Sequence, residues 1–115
     1  MWHLTLHRWT RDRGEAMKLL EDHLAWMRGQ QLAGNIIAAG PTPDRELGIV
    51  LFRHMSRQEV DEICRDEPFI AGGYRDYEVV PWEVHHLLGI GGFDIKTITA
   101  MTEAETQYEP GDGVR

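Results

Sequence analysis

Three short segments of this 115-residue chain carry residue types that could perform acid–base chemistry. His23 lies in a run with helical spacing, Gly40 and Pro41 follow a short apolar run, and Asp66 and Glu67 stand directly before a proline. An imidazole with a pKa of about 6.5 accepts or donates a proton near neutral pH. A carboxylate bonded to one ring nitrogen leaves the other nitrogen for a substrate, and such a pair gives roughly 10²–10⁴-fold in rate. The sequence therefore predicts general acid–base chemistry by His23 with Asp66 or Glu67, and a structural ion pair is the alternative.

Further aromatic and polar residues are candidates for holding a substrate beside this pair. The predicted substrate-binding set is His7, Trp9, Trp26, Gly40, Pro41 and Phe69. The three aromatic rings would line a pocket, and core or dimer-interface packing is an equally simple interpretation of each. Glycine and proline would leave space for a ligand, although a turn requires them as well. His7 shares one face of the first strand with His3 and Thr5, and we expect this face to line a cavity between two sheets.

Other catalytic chemistries have no support in the sequence. His85 and His86 are adjacent, and adjacent residues on a strand point to opposite faces, so they do not readily bind one metal ion together. The Gly-Ile-Gly-Gly run at residues 89–92 lacks the spacing of a phosphate-binding loop. No Gly-x-Ser-x-Gly nucleophile elbow is present. We therefore expect neither a metal nor an organic cofactor.

Length, charge and cysteine content limit the class of protein. The chain fits one domain, with 42% hydrophobic and 27% charged residues. Its net charge of −7 argues against a nucleic-acid partner. The single cysteine, Cys64, excludes an internal disulfide and favours a reducing compartment. No apolar run approaches the roughly 18 residues of a membrane span, and the start lacks a signal-peptide pattern. We expect a cytoplasmic protein with a small-molecule partner and no membrane partner.

The hydrophobic periodicity predicts the element order β-α-β-β-α-β. The predicted elements are a strand at residues 2–9, a helix from 12 to about 34, a short buried strand at 35–39, a strand at 48–54, a helix from 56 to 67 and a strand at 74–82. Asp12 with Glu15, and Ser56 with Glu59, are candidate capping boxes at the two helix starts. This order is the split unit of ferredoxin-like α+β folds.

The strands also predict a homodimer. Residues 36–37 and 49–52 are apolar on both faces, yet two helices cover only one face of a four-stranded sheet. The other face would expose a patch that monomeric soluble proteins rarely tolerate. Two copies related by two-fold symmetry would bury it by packing sheet against sheet. Residues 1–82 are expected to form this domain, and residues 83–115 a C-terminal extension with an edge strand at 84–90, a short helix or arm at 93–104 and a flexible acidic tail.

Several short motifs, taken in this order and spacing, resemble the YCII-related (YciI-like) family of small proteins. They are His-Leu-Ala-Trp-Met at residues 23–27, Ala-Gly-Pro at 39–41, Pro-Phe at 68–69 followed by Ala-Gly at 71–72, Tyr-Glu-Val at 77–79 and Pro-Trp at 81–82. The match spans residues 2 to 82. The resemblance implies a dimeric α+β barrel whose active-site pair is the helix-one histidine and an Asp directly before Pro-Phe.

This chain departs from that pattern at the acid. Glu67 occupies the position directly before the proline and Asp66 stands one residue earlier, so either acid could face His23. One branch of the family resembles dehydrochlorinases of halogenated hydroxyquinones, which eliminate HCl without a cofactor. We therefore expect a cofactor-independent lyase or isomerase acting on a small organic, aromatic or quinone-like, molecule. Cofactor-free oxygenation is a less favoured enzymatic alternative, and a non-catalytic dimeric metabolite-binding or pathway accessory protein is the alternative from a different class.

Overall fold

An antiparallel four-stranded sheet forms the centre of the computed structural model, which describes residues 1–87 and 91–92. The strands are β1 (Trp2–Trp9), β2 (Ile36–Pro41), β3 (Leu47–Phe52) and β4 (Arg75–Trp82), in the order β2-β3-β1-β4. The helices are α1 (Arg13–Ala16), α2 (Leu20–Leu32), α3 (Arg57–Arg65) and α4 (Pro68–Ala71), with a 3₁₀ turn at Met17–Leu19. The predicted α+β class is confirmed.

The two faces of the sheet differ in their surroundings. Thr5 of the central strand β1 is opposite Val50 on one side and Val79 on the other, and all three are buried. This face also carries His3 and His7, and it is covered by α3. The expectation that these β1 side chains line a cavity between two sheets is therefore wrong, because they face the helical layer. The alternate residues of β1 point to the opposite, open face.

Helix α3 supplies the main core on the covered face. Its capping box is confirmed: the Ser56 side chain accepts from the Glu59 backbone N–H, and the Glu59 carboxylate accepts from the Ser56 backbone N–H. The cap starts the helix so that Val60 and Cys64, one turn apart, both point inward and are fully buried against Phe52. Burial raises the pKa of the Cys64 thiol to about 12, which agrees with a packing role for this cysteine.

The first helical region departs from the single helix predicted for residues 12–34. Asp12 caps α1 by accepting from the Gly14 backbone N–H at 3.0 Å, and the predicted box with Glu15 is not formed. A 3₁₀ turn then separates α1 from α2. Helix α2 buries none of its residues, and Leu24 is 57% exposed. Helix α2 is thus not part of the core, because it stands away from the sheet and leaves a cavity beneath it.

Strand β2 is also more exposed than expected. A strand is present near the predicted residues 35–39, but its predicted burial is wrong, since only Ile36 is half-buried and the rest of β2 is exposed. The strand lies at the sheet edge beside β3 alone, and a bulge between Ile36 and Ala38 shifts its register. An apolar run alone does not distinguish an edge strand from a central one.

Beyond β4 the described residues form a separate small element. Strand β5 (His86–Leu87) pairs with β6 (Gly91–Gly92) in a two-stranded sheet, so the edge strand predicted at 84–90 does not extend the main sheet. The helix or arm predicted at 93–104 and the acidic tail lie outside the described residues. Within the described residues, no helix combines the length and apolarity needed to cross a membrane.

Candidate active site

Glu67 is positioned by the junction between α3 and α4. Its backbone is extended, with φ −65° and ψ 127°, because Pro68 disfavours a helical residue before it. Pro68 then begins α4 at the first helical position, where its missing N–H is harmless. This short helix was not predicted. Glu67 caps it, accepting from the Ile70 backbone N–H at 3.1 Å, and this bond fixes the carboxylate inside the domain.

His23 and Glu67 form a close pair across the helical layer. Nδ1 of His23 lies 2.5 Å from Oε1 of Glu67, and the two side chains are 17% and 2% exposed. An ionised carboxylate only accepts hydrogen bonds, so Nδ1 carries the proton and Nε2 is the nitrogen left for a ligand. The imidazole stacks on Phe69, with ring centroids 4.5 Å apart and an angle of 27° between the ring planes.

The environment keeps Glu67 ionised. Burial by itself raises the pKa of this carboxyl, but the hydrogen bond and charge of His23, together with the backbone N–H groups of Phe69 and Ile70, outweigh burial and lower the pKa below its usual value. Asp66, the other candidate acid, is exposed at the C-terminal end of α3. Of the two acids left open by the sequence, the structure brings Glu67 to His23 and leaves Asp66 outside.

A cavity of about 410 Å³ lies between α2 and the covered face of the sheet. Its lining includes the pair and all six residues of the predicted substrate-binding set: His23, Glu67, His7, Trp9, Trp26, Gly40, Pro41 and Phe69. The remaining wall is mostly aliphatic, from Met17, Leu20, Leu24 and Met27. This volume suits a small organic ligand.

The two tryptophans and Phe69 enclose the cavity from different elements. Trp9, at the end of β1, packs edge-to-face on Phe69 with ring centroids 5.1 Å apart. Its indole N–H donates to the carbonyl oxygen of Arg45 at 3.0 Å, which ties the β2–β3 connection to the cavity rim. Trp26 comes from α2 on the other side. An aromatic wall of this kind favours a flat ligand.

His7 is a second imidazole on the cavity wall, with a different environment from His23. Its Nε2 is hydrogen-bonded to Thr5 Oγ1 at 2.7 Å, and its ring stacks on Tyr77. Burial, reinforced by the charge of Arg75, lowers the pKa of His7 to about 4. His7 is therefore neutral at physiological pH and can donate or accept a hydrogen bond without adding charge to the cavity.

Three arginines line the cavity but were missed by the sequence reasoning. Arg13 and Arg45 are exposed at its rim, whereas Arg75, the first residue of β4, is buried. The signal for Arg75 was present in the strand alternation, since Arg75, Tyr77 and Val79 share one face. Arg13 and Arg45 lie in or beside connections, where no periodicity indicates which way a side chain points.

The arrangement therefore defines an α+β domain in which a histidine–carboxylate pair opens on an aromatic-lined cavity. The family model of the YCII-related domain matches residues 1–83, and the chain belongs to this family. The resemblance drawn from the short motifs is thus confirmed.

One solved structure gives a comparison of the whole fold. It is 5-chloro-2-hydroxyhydroquinone dehydrochlorinase (TftG) from Burkholderia phenoliruptrix AC1100, in complex with 2,5-dihydroxybenzoquinone. The TM-score is 0.60 and the identity 21%, over 75% of this chain and 96% of that chain. At this identity the similarity shows the fold. Among curated proteins, no sequence matches the chain.

Proposed function

We propose that the protein is a small cofactor-independent enzyme, a lyase or isomerase, that performs acid–base chemistry on a small aromatic or quinone-like molecule. His23 is the general base and acid, and Glu67 orients it. The observation that carries the proposal is the 2.5 Å contact between His23 Nδ1 and Glu67 Oε1 at the wall of the 410 Å³ cavity. A pair made only for stability does not need a cavity beside it.

The pair can move one proton without help from another group. Glu67 stabilises the imidazolium that forms when Nε2 of His23 takes a proton, and the ring can return that proton to a second atom of the same ligand. For a substrate that is already activated, this proton transfer is the main catalytic requirement. The roughly 10²–10⁴-fold acceleration typical of such catalysis suits elimination or isomerisation of a hydroquinone.

Dehydrochlorination of a chlorinated hydroxyhydroquinone is the favoured reaction, since the similar structure bears the name of such an enzyme. His23 first takes a hydroxyl proton and returns it to the chlorine-bearing ring carbon, which gives the keto tautomer of the substrate. His23 then removes a second hydroxyl proton; that O–H electron pair forms another C=O bond, the ring double bond shifts, and the C–Cl pair leaves as chloride. The imidazolium finally releases its proton to solvent. The net change is loss of HCl with formation of a quinone. No external oxidant or reductant is required.

The test is turnover of a substrate panel by the purified protein without added cofactor. Chlorinated hydroxyhydroquinones and their chlorine-free analogues are compared under anaerobic conditions, with chloride measured by ion chromatography and quinone by absorbance. We expect one chloride per quinone formed, well above the rate without protein. Tight binding of these compounds without turnover of any of them would instead favour the metabolite-binding alternative.

We also propose that residues 1–82 form the ferredoxin-like half of a dimeric α+β barrel, that residues 83–115 are an extension, and that the homodimer is cytoplasmic. The open face of the sheet supports the dimer. There Leu4 is opposite Leu51 and Val80, and Leu6 is opposite Ile49, all only half-buried. A second sheet of the same kind would cover these apolar side chains.

Substitution on the open face tests the dimer. We expect light scattering to give about twice the 13.2 kDa chain mass for the wild type and a monomer for Leu51→Glu, because a charge at the centre of a sheet-to-sheet contact is desolvated without a partner. Leu32→Glu is the matched control: Leu32 is 78% exposed at the end of α2 and should leave the mass unchanged. A monomeric wild type at micromolar concentration would contradict the proposal.

A further inference from the structure

Arg75 is a buried cation whose place in the cavity the acid–base pair does not explain. It begins β4 directly opposite Trp9 on β1 and is 9% exposed. Its guanidinium carbon lies 4.4 Å from the centre of the Trp9 ring and 5.4 Å from that of Phe69. Among residues 1–87, no carboxylate is within ion-pair distance of it, and its Nε has no hydrogen-bond partner.

A buried charge without a counter-ion is unfavourable, and the surroundings offset this only in part. The aromatic faces attract the guanidinium. The buried acid whose charge favours the protonated form of Arg75 is Glu67, but that carboxylate already accepts from His23 and from the Ile70 backbone N–H. Burial lowers the pKa of Arg75, yet an arginine side chain stays protonated in proteins. The guanidinium therefore keeps its charge and retains donors for another partner.

Gly48 leaves the space that the guanidinium occupies. The Arg75 side chain reaches across β1 to β3, where a Cβ added at Gly48 would lie 2.8 Å from Nη2 and 3.3 Å from Cζ of Arg75. A side chain at position 48 would thus require the guanidinium to leave this position. Gly48 is also opposite His7 in the strand register, so the guanidinium and the neutral imidazole are neighbours on one wall.

The charges around the cavity have an excess of positive sign. Arg13, Arg45 and Arg75 line it, and Glu67 is the one carboxylate among its described lining residues. His7 adds no charge at physiological pH. An anionic ligand would balance this excess. It would meet the strongest attraction at Arg75, where water is largely excluded and Coulomb interactions are least screened.

We propose that Arg75 is a specificity-determining residue that binds an anionic oxygen of the ligand, a phenolate, enolate or carboxylate on a flat ring. The guanidinium donates to that oxygen while the ring lies along the aromatic wall, with its reacting atoms toward His23. The planar fork of arginine matches two adjacent oxygens of such an anion. This inference rests on the proposed function, because both concern one cavity, and it restricts the substrate class to ionised aromatic or quinone-like molecules.

A matched pair of ligands tests this assignment by calorimetric titration at neutral pH. In 2,5-dihydroxybenzoquinone the hydroxyls are vinylogous acids and ionise, whereas the methyl ethers of 2,5-dimethoxybenzoquinone cannot. We expect the wild type to bind the ionised compound about 10- to 100-fold more tightly, the typical worth of a hydrogen bond to a charged group. Arg75→Met is expected to abolish this preference, and Arg75→Gln to reduce it strongly.

A stability measurement and a control variant show whether Arg75 recognises the ligand or only stabilises the fold. Because Arg75 has no carboxylate at ion-pair distance and methionine keeps the apolar contacts with the aromatic rings, we expect Arg75→Met to unfold near the wild-type urea midpoint. Arg65→Met, an exposed arginine on α3, should keep the wild-type preference. Equal affinity of the wild type for the two quinones, absence of binding of both, or an unchanged preference in folded Arg75→Met or Arg75→Gln would overturn the inference.

The readouts also distinguish this inference from the proposed function. The binding ratio does not require turnover, so an anion preference that disappears in Arg75→Met remains meaningful if no substrate is converted. Conversely, turnover that depends on His23, combined with equal binding of the two quinones, would refute the role of Arg75 and leave the acid–base proposal in place.

Discussion

Replacing His23 with glutamine is expected to lower kcat/KM about 10²–10⁴-fold toward any substrate of the panel that the wild type converts. Glutamine keeps a polar side chain that can still donate to Glu67, so the fold and cavity should persist. It cannot carry a proton between two atoms of a ligand, and only the chemical step is lost. Stopped-flow or steady-state absorbance of the quinone product gives the rates, and circular dichroism checks the fold.

The matched control for His23 is a second histidine–glutamate pair on the surface. His85 Nε2 lies 2.8 Å from Glu83 Oε2, with both side chains more than a third exposed. His85→Gln breaks the same kind of pair outside the cavity lining and should retain activity within about twofold, as exposed pairs contribute little. Equal activity of His23→Gln and the wild type would refute the assignment of His23 as the base.

Replacing Glu67 with alanine is expected to be the most destabilising of the substitutions considered. Two losses combine: His23 loses its buried partner, and α4 loses the acceptor for the Ile70 N–H. Removing one member of a buried ion pair costs about 3–5 kcal/mol, a large share of the roughly 5–15 kcal/mol that stabilises a typical domain. Urea unfolding at pH 7 measures the free energy of unfolding.

Two further variants show which interaction accounts for the loss of stability expected in Glu67→Ala. Asp66→Ala changes the adjacent but exposed acid and should alter the free energy of unfolding by less than about 0.5 kcal/mol. Glu67→Gln keeps an oxygen that can accept from the Ile70 N–H and should lose only about 1–3 kcal/mol, the cost of a hydrogen bond to a charged group. A Glu67→Ala variant as stable as Asp66→Ala would show that the buried pair contributes nothing to folding.

The stability of the Glu67 variants also depends on pH in a defined direction. The pKa of Glu67 is lower in the folded chain than its ordinary value of 4.5, so ionised Glu67 stabilises the fold fully above that value. This contribution is lost as the pH falls through the lower folded-state pKa. The difference in unfolding free energy between wild type and Glu67→Gln should therefore shrink on acidification from pH 6 toward pH 3. Other acids contribute equally to both proteins and cancel in the difference.

Local patterns in the chain were sufficient to predict α3, the helix break after it, and His23 with two candidate acids. The Ser56–Glu59 capping box, the one-turn spacing of Val60 and Cys64, and the proline after Glu67 each act through bonds or sterics between near neighbours. Such interactions are the same in any tertiary context, so they can be deduced from sequence. The segment of His23 likewise carried the motif that resembles the family, and the match to the domain confirms that resemblance.

Several features depend on which elements lie side by side, and these could not be deduced. The extended backbone of Glu67, between the end of α3 and the start of α4, determines that Glu67 and not Asp66 contacts His23. The burial of β2 was misjudged because an apolar side chain at a sheet edge has the same periodicity as one in the core. The side of the sheet on which His7 lies depends on where α3 packs, since alternation defines two faces and does not say which one the helices cover.

Arg75 shows most clearly which features follow from local sequence and which require the tertiary fold. Strand alternation places it on one face with Tyr77 and Val79, a property of consecutive residues alone. Its burial, its contact with the Trp9 ring and the space left by Gly48 require three strands brought together in the order β3-β1-β4. Neighbour-to-neighbour chemistry thus determined the elements and the residue types available for a site. Long-range packing decided which of those residues share a cavity, because contacts between distant segments depend on the whole fold.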